Sequence, residues 1–452
     1  MIAQVISLGC PKNLIDSEII LGHLVKSGFI LTDSIQNADL VIINTCAFIK
    51  PAVDEAKDKI REILAYKNKG LIQKIFVVGC LVQRYKQALE KEFPEVDGFL
   101  GIDYLNIIPK VASSKTRKRT YVRTPYTLCS SSEPRLLSTP KHYAYLKIAD
   151  GCDNRCSYCL LPSIRGRFRS REIEDIEQEA RMLANSGVKE LILVAQDTTL
   201  YGQDLYPESA RGGLAQLLRR LNRIKSIIWI RLLYTHPAHF TDDLIEMIAK
   251  LPRVAKYIDL PLQHISDRIL KQMNRKVKRQ DIERLLERLR KIEGLTLRTS
   301  FIVGFPSETD KDFSELLDFV RQSALGGFDH LGCFTYCREK GSPAYRLRNQ
   351  VSEKVKIERF NEIMKLQKNI SRKRLKNLIG KKVNVLIDTH LFPPPPVRGG
   401  QEGGYDYIGR TEGDAPEIDG LVYLKGKNLN PGDYVTVKVI MTSDYDLFAV
   451  KD

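Results

Sequence analysis

The run GCDNRCSYC places Cys152, Cys156 and Cys159 in a C-x3-C-x2-C spacing directly after an apolar stretch of strand length. Thiolates are soft ligands that suit iron–sulfur clusters or zinc. Three of them on one short loop can hold three irons of a cubane and leave the fourth iron without a protein ligand. An open coordination position is what a catalytic metal centre needs. Zinc is the alternative for the same loop, but it wants a fourth ligand, and no cysteine or histidine lies close by in sequence. The spacing also departs from the paired C-x2-C of zinc sites. Tyr158 sets an aromatic ring beside the last cysteine.

A second set is spread along the first eighty residues. Cys10 follows QVISLG, Cys46 follows DLVIINT and Cys80 follows KIFVVG, so each closes an apolar run. In an open α/β sheet, ligands collect outside the carboxyl ends of the strands. Three cysteines more than thirty residues apart therefore converge on one rim. One free cysteine alone reads as core; three with a common placement read as a second thiolate triplet. Asp16 and Glu18 read as charges at the N-terminus of the following helix. Cys129 reads as a free thiol, and Cys333 and Cys337, four apart in HLGCFTYC, as packing on one side of a strand. For His264, at the end of a predicted strand, a rim role and a hydrogen-bonded structural role both stand.

The elements that must position these residues follow from periodicity. Short apolar runs at 5–8, 40–44 and 75–78 alternate with helical patterns, clearest over 16–26 and 53–66, which predicts a parallel sheet covered by helices. A second alternation predicts strands at 143–148, 191–195, 227–232, 257–260, 297–303 and 330–336, with helices at 173–185, 242–250, 281–293 and 310–322. Six such units suit a partial or full parallel barrel with its chemistry at the C-terminal strand ends. A charged helix over 353–376 follows. From Gly380, alternating segments between Gly-rich turns predict a small antiparallel barrel, with the FPPPP run at 392–396 as a stiff loop. The fold class is α/β. The expected division is 1–110, a polar basic linker or extended strand pair at 111–142, then 143–378 with the barrel and its following helix, and 379–452.

The 452 residues carry 71 Lys+Arg against 55 Asp+Glu, a formal +16, with 43% hydrophobic residues, which excludes wholesale disorder. No apolar run reaches the roughly 18 residues of a membrane span, and the N-terminus lacks the features of a signal peptide. A cytoplasmic chain is expected, in which nine cysteines serve as metal ligands or free thiols rather than disulfides. Residues 380–452 hold 8 Lys+Arg and 11 Asp+Glu, a net −3, against +19 for the remainder. A barrel that grips RNA should be basic; an acidic one suits a basic protein partner.

The cysteine loop followed by six βα units resembles the radical S-adenosylmethionine superfamily. FIVGFPSET at 301–309 and VAQDTT at 194–199 are similar to that family's later cofactor-facing turns. The resemblance implies a [4Fe–4S] cluster on Cys152, Cys156 and Cys159 whose open iron chelates S-adenosylmethionine, and cleavage of that cofactor to a 5′-deoxyadenosyl radical. Tyr158, Gln196 and Gly304 are the implied cofactor neighbours. End to end, the chain resembles the methylthiotransferases, with a radical S-adenosylmethionine barrel and a C-terminal TRAM, OB-like barrel. This implies a second, auxiliary [4Fe–4S] cluster on Cys10, Cys46 and Cys80. It also implies S-adenosylmethionine used twice, as methyl donor and as radical source.

Two branches of that family differ in substrate, an adenosine base of transfer RNA or the β-carbon of an aspartate in small-subunit ribosomal protein twelve. SLGCPKNLIDSE, LVAQDTTLYGQDL and GRTEGDAPEIDG resemble the ribosomal-protein branch. The implied partners are that ribosomal protein, an electron donor such as flavodoxin or ferredoxin, and the ribosome itself, with no membrane. Arg165, Arg167, Arg169 and Arg171 are all candidates to meet a substrate carboxylate. Ser307 departs from the glycine usual in the family's GFPGET.

Overall fold

The computed structural model describes residues 1–114, 120–206, 213–322, 327–391 and 404–451. The Pro-rich run at 392–396 and the basic centre of SSKTRKRT lie outside the described residues.

Six parallel strands form the first sheet, in the order Ile30–Leu31, Ile2–Ser7, Leu40–Thr45, Lys74–Gly79, Gly98–Leu100, Thr120–Tyr121. Leu40–Thr45 is buried throughout because it lies inside the sheet with both faces covered, which is why it reads as an unbroken apolar run. Helix Pro11–Lys26 covers one face through Ile20 and Leu24, and helix Lys50–Asn68 the other through Val53, Ala56, Ile60 and Ile63. The last strand falls in the segment read as a linker or an extended strand pair. Residues 122–142 of it act as a strap: Arg135 donates to Glu18 and to Glu179, each at 2.6 Å, and so joins helix Pro11–Lys26 to helix Ile173–Asn185. Charge pairing, invisible as periodicity, turned a polar stretch into structure.

The second sheet keeps chain order: Tyr143–Lys147, Glu190–Val194, Trp229–Leu232, Val254–Asp259, Thr296–Val303, His330–Thr335, all parallel. Its first and last strands are both edges, so the barrel is partial. Helices Ile173–Asn185, Asp242–Lys250 and Glu353–Lys376 fall where periodicity puts them. Leu214–Leu221 and Asp267–Gln272 were too short to announce themselves. Thr309 of FIVGFPSET caps helix Asp310–Arg321 in a capping box with Asp312. Cys333 is buried on the final strand, but Cys337 lies beyond its end, where its thiol donates to Glu339, so the two do not share a strand face.

Five strands close the C-terminal barrel. It is antiparallel except where Val422–Lys425 runs parallel to Leu447–Val450. Its acidity has an internal use. Glu417 and Asp419 accept from Tyr143, Tyr257 and Arg298 at the N-terminal ends of the large sheet, Asp388 meets His142 and Arg410, and Asp444 meets Lys368 and Arg372. The −3 thus plugs the chain's own basic barrel, and does not by itself mark a surface for a basic partner. One apolar cluster joins all three parts, with Ile15 and Ile19, then Tyr145, Val194 and Trp229, then Leu386 and Ala415.

Candidate functional site

Cys10, Cys46 and Cys80 leave the C-terminal ends of three adjacent strands. Close approach is possible because of what precedes them. Gly9 has φ +123°, and a Cβ there would stand 2.9 Å from Cys46 Cβ; Gly79 has φ +92°, and its Cβ would meet Asn44 Oδ1 at 2.3 Å. Asn13 and Asn44 lock the rim: Asn13 Nδ2 donates to Asn44 Oδ1 at 3.0 Å, and Asn44 Nδ2 donates to the Asn13 carbonyl at 2.9 Å. Cys152, Cys156 and Cys159 follow the first strand of the second sheet at its C-terminal rim.

The two rims face each other. All six cysteines line one cavity of about 310 Å³, together with Lys12, Tyr158, Arg165, Gln196, Tyr234, His236 and Arg275. Tyr158 and Gln196 are both on its wall, with Gln196 Nε2 donating to Asp150 at 3.0 Å. Gly304 does not line the cavity. Its φ is +70°, and a Cβ there would strike Lys356 Cγ at 2.2 Å, so the glycine answers to packing. Of the four arginines, Arg165 is the one on the wall. Arg167 is exposed, and Arg171 is turned to Asp175 and Glu179. His264 is buried off the wall, its Nδ1 accepting from the Ser266 amide at 3.0 Å, which is the structural role.

The electrostatics separate the thiols. Burial opposes the Cys10 thiolate, yet Lys12, Arg165 and the amides of Asn13 and Lys12 bring its pKa below the usual thiol value. Its place at the N-cap of helix Pro11–Lys26 puts those amides within reach. Burial pushes Cys80 and Cys159 up to about 12 and Cys152 to about 11. Burial also pulls the Lys12 ammonium below an ordinary lysine, with the Cys10 charge holding against it. Arg275 Nη1 points at Cys156 Sγ across 3.7 Å.

Asp197, His236 and His239 bring three ligand atoms within 4.8 Å of one another. The six cysteines on the cavity wall are a soft-donor set that suits iron–sulfur clusters. Asp197 is a hydrogen-bond hub, accepting from Thr199 and from Asn154 and paired with His239 at 2.8 Å. Sequence reasoning missed this hub and Lys12. The THPAH run after the third strand was the available signal for the first, and a lysine two residues past a cysteine for the second.

Family models match the chain in three parts, the Radical SAM superfamily at 146–320, the uncharacterized protein family UPF0004 at 3–101 and the TRAM domain at 379–451. The chain is 45% identical to the ribosomal protein uS12 methylthiotransferase RimO of Desulforamulus reducens, covering 98% of this chain and 97% of that one. It is 46% identical to the protein of that name from Acetivibrio thermocellus, over 98% and 96%, and 45% to that from Geobacter sulfurreducens, over 98% and 97%. Among solved structures, the radical S-adenosylmethionine methyltransferase TsrM from Kitasatospora setae, with cobalamin and a [4Fe–4S] cluster bound, shares the fold at a TM-score of 0.53. Identity there is 15%, over 76% of each chain.

Proposed function

Since the chain belongs to the ribosomal protein uS12 methylthiotransferase family, we propose that it methylthiolates the β-carbon of an aspartate in that ribosomal protein, using two [4Fe–4S] clusters and S-adenosylmethionine. The observation that carries the proposal is the single cavity lined by both cysteine triplets. Cys152, Cys156 and Cys159 would hold the cluster that meets S-adenosylmethionine, and Cys10, Cys46 and Cys80 the auxiliary one. When bound, these groups supply reductive cleavage of the cofactor and a site for the sulfur that is transferred.

The chain's own residues do the rest. Tyr158 and Gln196 wall the side of the cavity nearest the radical loop and orient the cofactor there. Arg165 fixes the distance between the two rims by bonding Asp16 on one and Asp150 on the other. Phe48, Leu161 and Ile164 keep the lining largely apolar, which excludes water from reactive species. A flavodoxin or ferredoxin would deliver the electron, the ribosome is a further contact, and the cytoplasm is where these partners are met. Among the described residues, no helix is long and apolar enough to cross a membrane.

Anaerobic reconstitution followed by incubation with uS12 and, separately, with transfer RNA tests the substrate. Mass spectrometry should find a methylthio group in place of hydrogen on the uS12 aspartate. Modification of the RNA alone would reject the proposal.

A further inference from the structure

A cavity that admits an aspartate side chain must also receive its negative charge, and burying an unpaired carboxylate is strongly unfavourable. Among the described residues, three cationic side chains line the cavity: Lys12, Arg165 and Arg275. Two are engaged. Arg165 is held by Asp16 at 2.9 Å and Asp150 at 3.1 Å, while Arg275 donates to the Pro261 carbonyl at 2.6 Å and faces Cys156. Lys12 differs. Its Nζ reaches only the Ala195 carbonyl, at 3.4 Å, and lies 3.3 Å from the centroid of the Tyr234 ring. No carboxylate among the described residues is within ion-pairing distance of it.

The platform beneath that ammonium is built. Tyr234 sits in the left-handed region at φ +60°, a conformation a tyrosine rarely adopts, and its amide donates to Asp259 at 2.9 Å. Strain of this kind persists only where the surroundings enforce it, and it clusters at ligand sites. Here it turns the ring under the lysine. An ammonium is a compact charge with three donors, so a carbonyl and a ring face leave it able to accept an anion.

Resting on the function proposed above, we infer that Lys12 is the counter-ion that seats the target aspartate's carboxylate between the two cysteine triplets. Lys12 thereby selects an acidic side chain over its neutral amide, because the asparagine analogue offers the ammonium no carboxylate, leaving it the Cys10 sulfur, a carbonyl and a ring face. A pocket built around a buried charged group discriminates against ligands that leave it unpaired.

Fluorescence anisotropy with two labelled peptides of the uS12 target loop, one with aspartate and one with asparagine at the target position, tests this. The proteins are the iron-reconstituted wild type, Lys12→Gln and Lys12→Arg. Wild type should bind the aspartate peptide at least tenfold more tightly, Lys12→Arg should keep the preference, and Lys12→Gln should bind both peptides alike. A wild type that binds both equally, or a Lys12→Gln that still prefers aspartate, overturns the assignment while leaving the substrate intact. Wild type that binds neither peptide overturns the substrate as well. Should Lys12→Gln not take up iron, Lys12→Met carries the same comparison, and a Lys12→Met that still prefers the aspartate peptide overturns the assignment.

Discussion

Arg165, six residues past Cys159 on the radical loop, donates to Asp16 of the first helix at 2.9 Å with both side chains buried, and so ties one cysteine rim to the other. It also donates to Asp150 at 3.1 Å, while Lys147 pairs with Asp16 and stands 3.7 Å from Asp150. Two cations and two carboxylates balance. Removing one member leaves an uncompensated charge in a low-dielectric setting, at a cost of about 3–5 kcal/mol. Arg165→Met should lower the urea midpoint accordingly. A wild-type midpoint would mean that the network contributes nothing to stability.

The two triplets should separate by function. Cys152→Ala removes a ligand of the loop that meets the cofactor, so 5′-deoxyadenosine formation should stop and bound iron should fall from about eight to about four per chain. Cys46→Ala should show the same iron loss yet still form 5′-deoxyadenosine, while transferring no methylthio group. Chromatography of the cofactor products beside mass analysis of uS12 reads both. Methylthio transfer by Cys46→Ala would remove the N-terminal trio from the chemistry.

How far the sequence foretold this is uneven, for physical reasons. Cys10, Cys46 and Cys80 were legible because each follows an apolar run, and burial on both faces writes strands as such runs; Cys152, Cys156 and Cys159 were legible from their close spacing on one loop. Lys12 was not, and Arg165 was named only among four candidates for a substrate carboxylate, since a basic residue's partners are not written in the sequence around it. Asp16 and Glu18 show the same failure. They read as charges at a helix start, but the helix begins at Pro11, and both carboxylates are buried against Arg165 and Arg135. The barrel's acidity was visible but its direction was not, because only the fold puts Asp419 on Arg298 and Tyr257.

Ser307 offers a test of backbone strain. Its φ is +66°, the left-handed region, and its amide donates to the Asn349 carbonyl at 2.8 Å. A residue with a Cβ is strained there by about 1–2 kcal/mol, and glycine returns part of that gain through a more flexible unfolded chain. Ser307→Gly should therefore stabilise by about 0.5–1 kcal/mol in denaturant unfolding, with the methylthio yield unchanged. Destabilisation would show that the serine side chain contributes more than the strain removes.

His264 should leave a mark on acid stability. It is fully buried, and burial, aided by Arg359 and Arg268 and opposed by Asp312, pulls its pKa down to about 3 from 6.5. Above pH 6.5 the ring is neutral folded or unfolded, so it contributes no pH dependence there. As pH falls below that value the unfolded chain takes up a proton that the folded one refuses, and stability drops by about 1.4 kcal/mol per pH unit until the folded pKa is reached. Its neighbour Glu308, 3.9 Å away and raised to about 7 by burial, works in the opposite sense, gaining stability as pH falls from 7 towards 4.5. The wild-type curve therefore mixes both, and the signature lies in a difference. Relative to wild type, His264→Gln should gain about 2 kcal/mol between pH 6.5 and pH 5, whatever its offset at neutral pH. Urea unfolding of both proteins across that range measures it, and parallel curves would mean that His264 accepts its proton in the folded chain as readily as in the unfolded one.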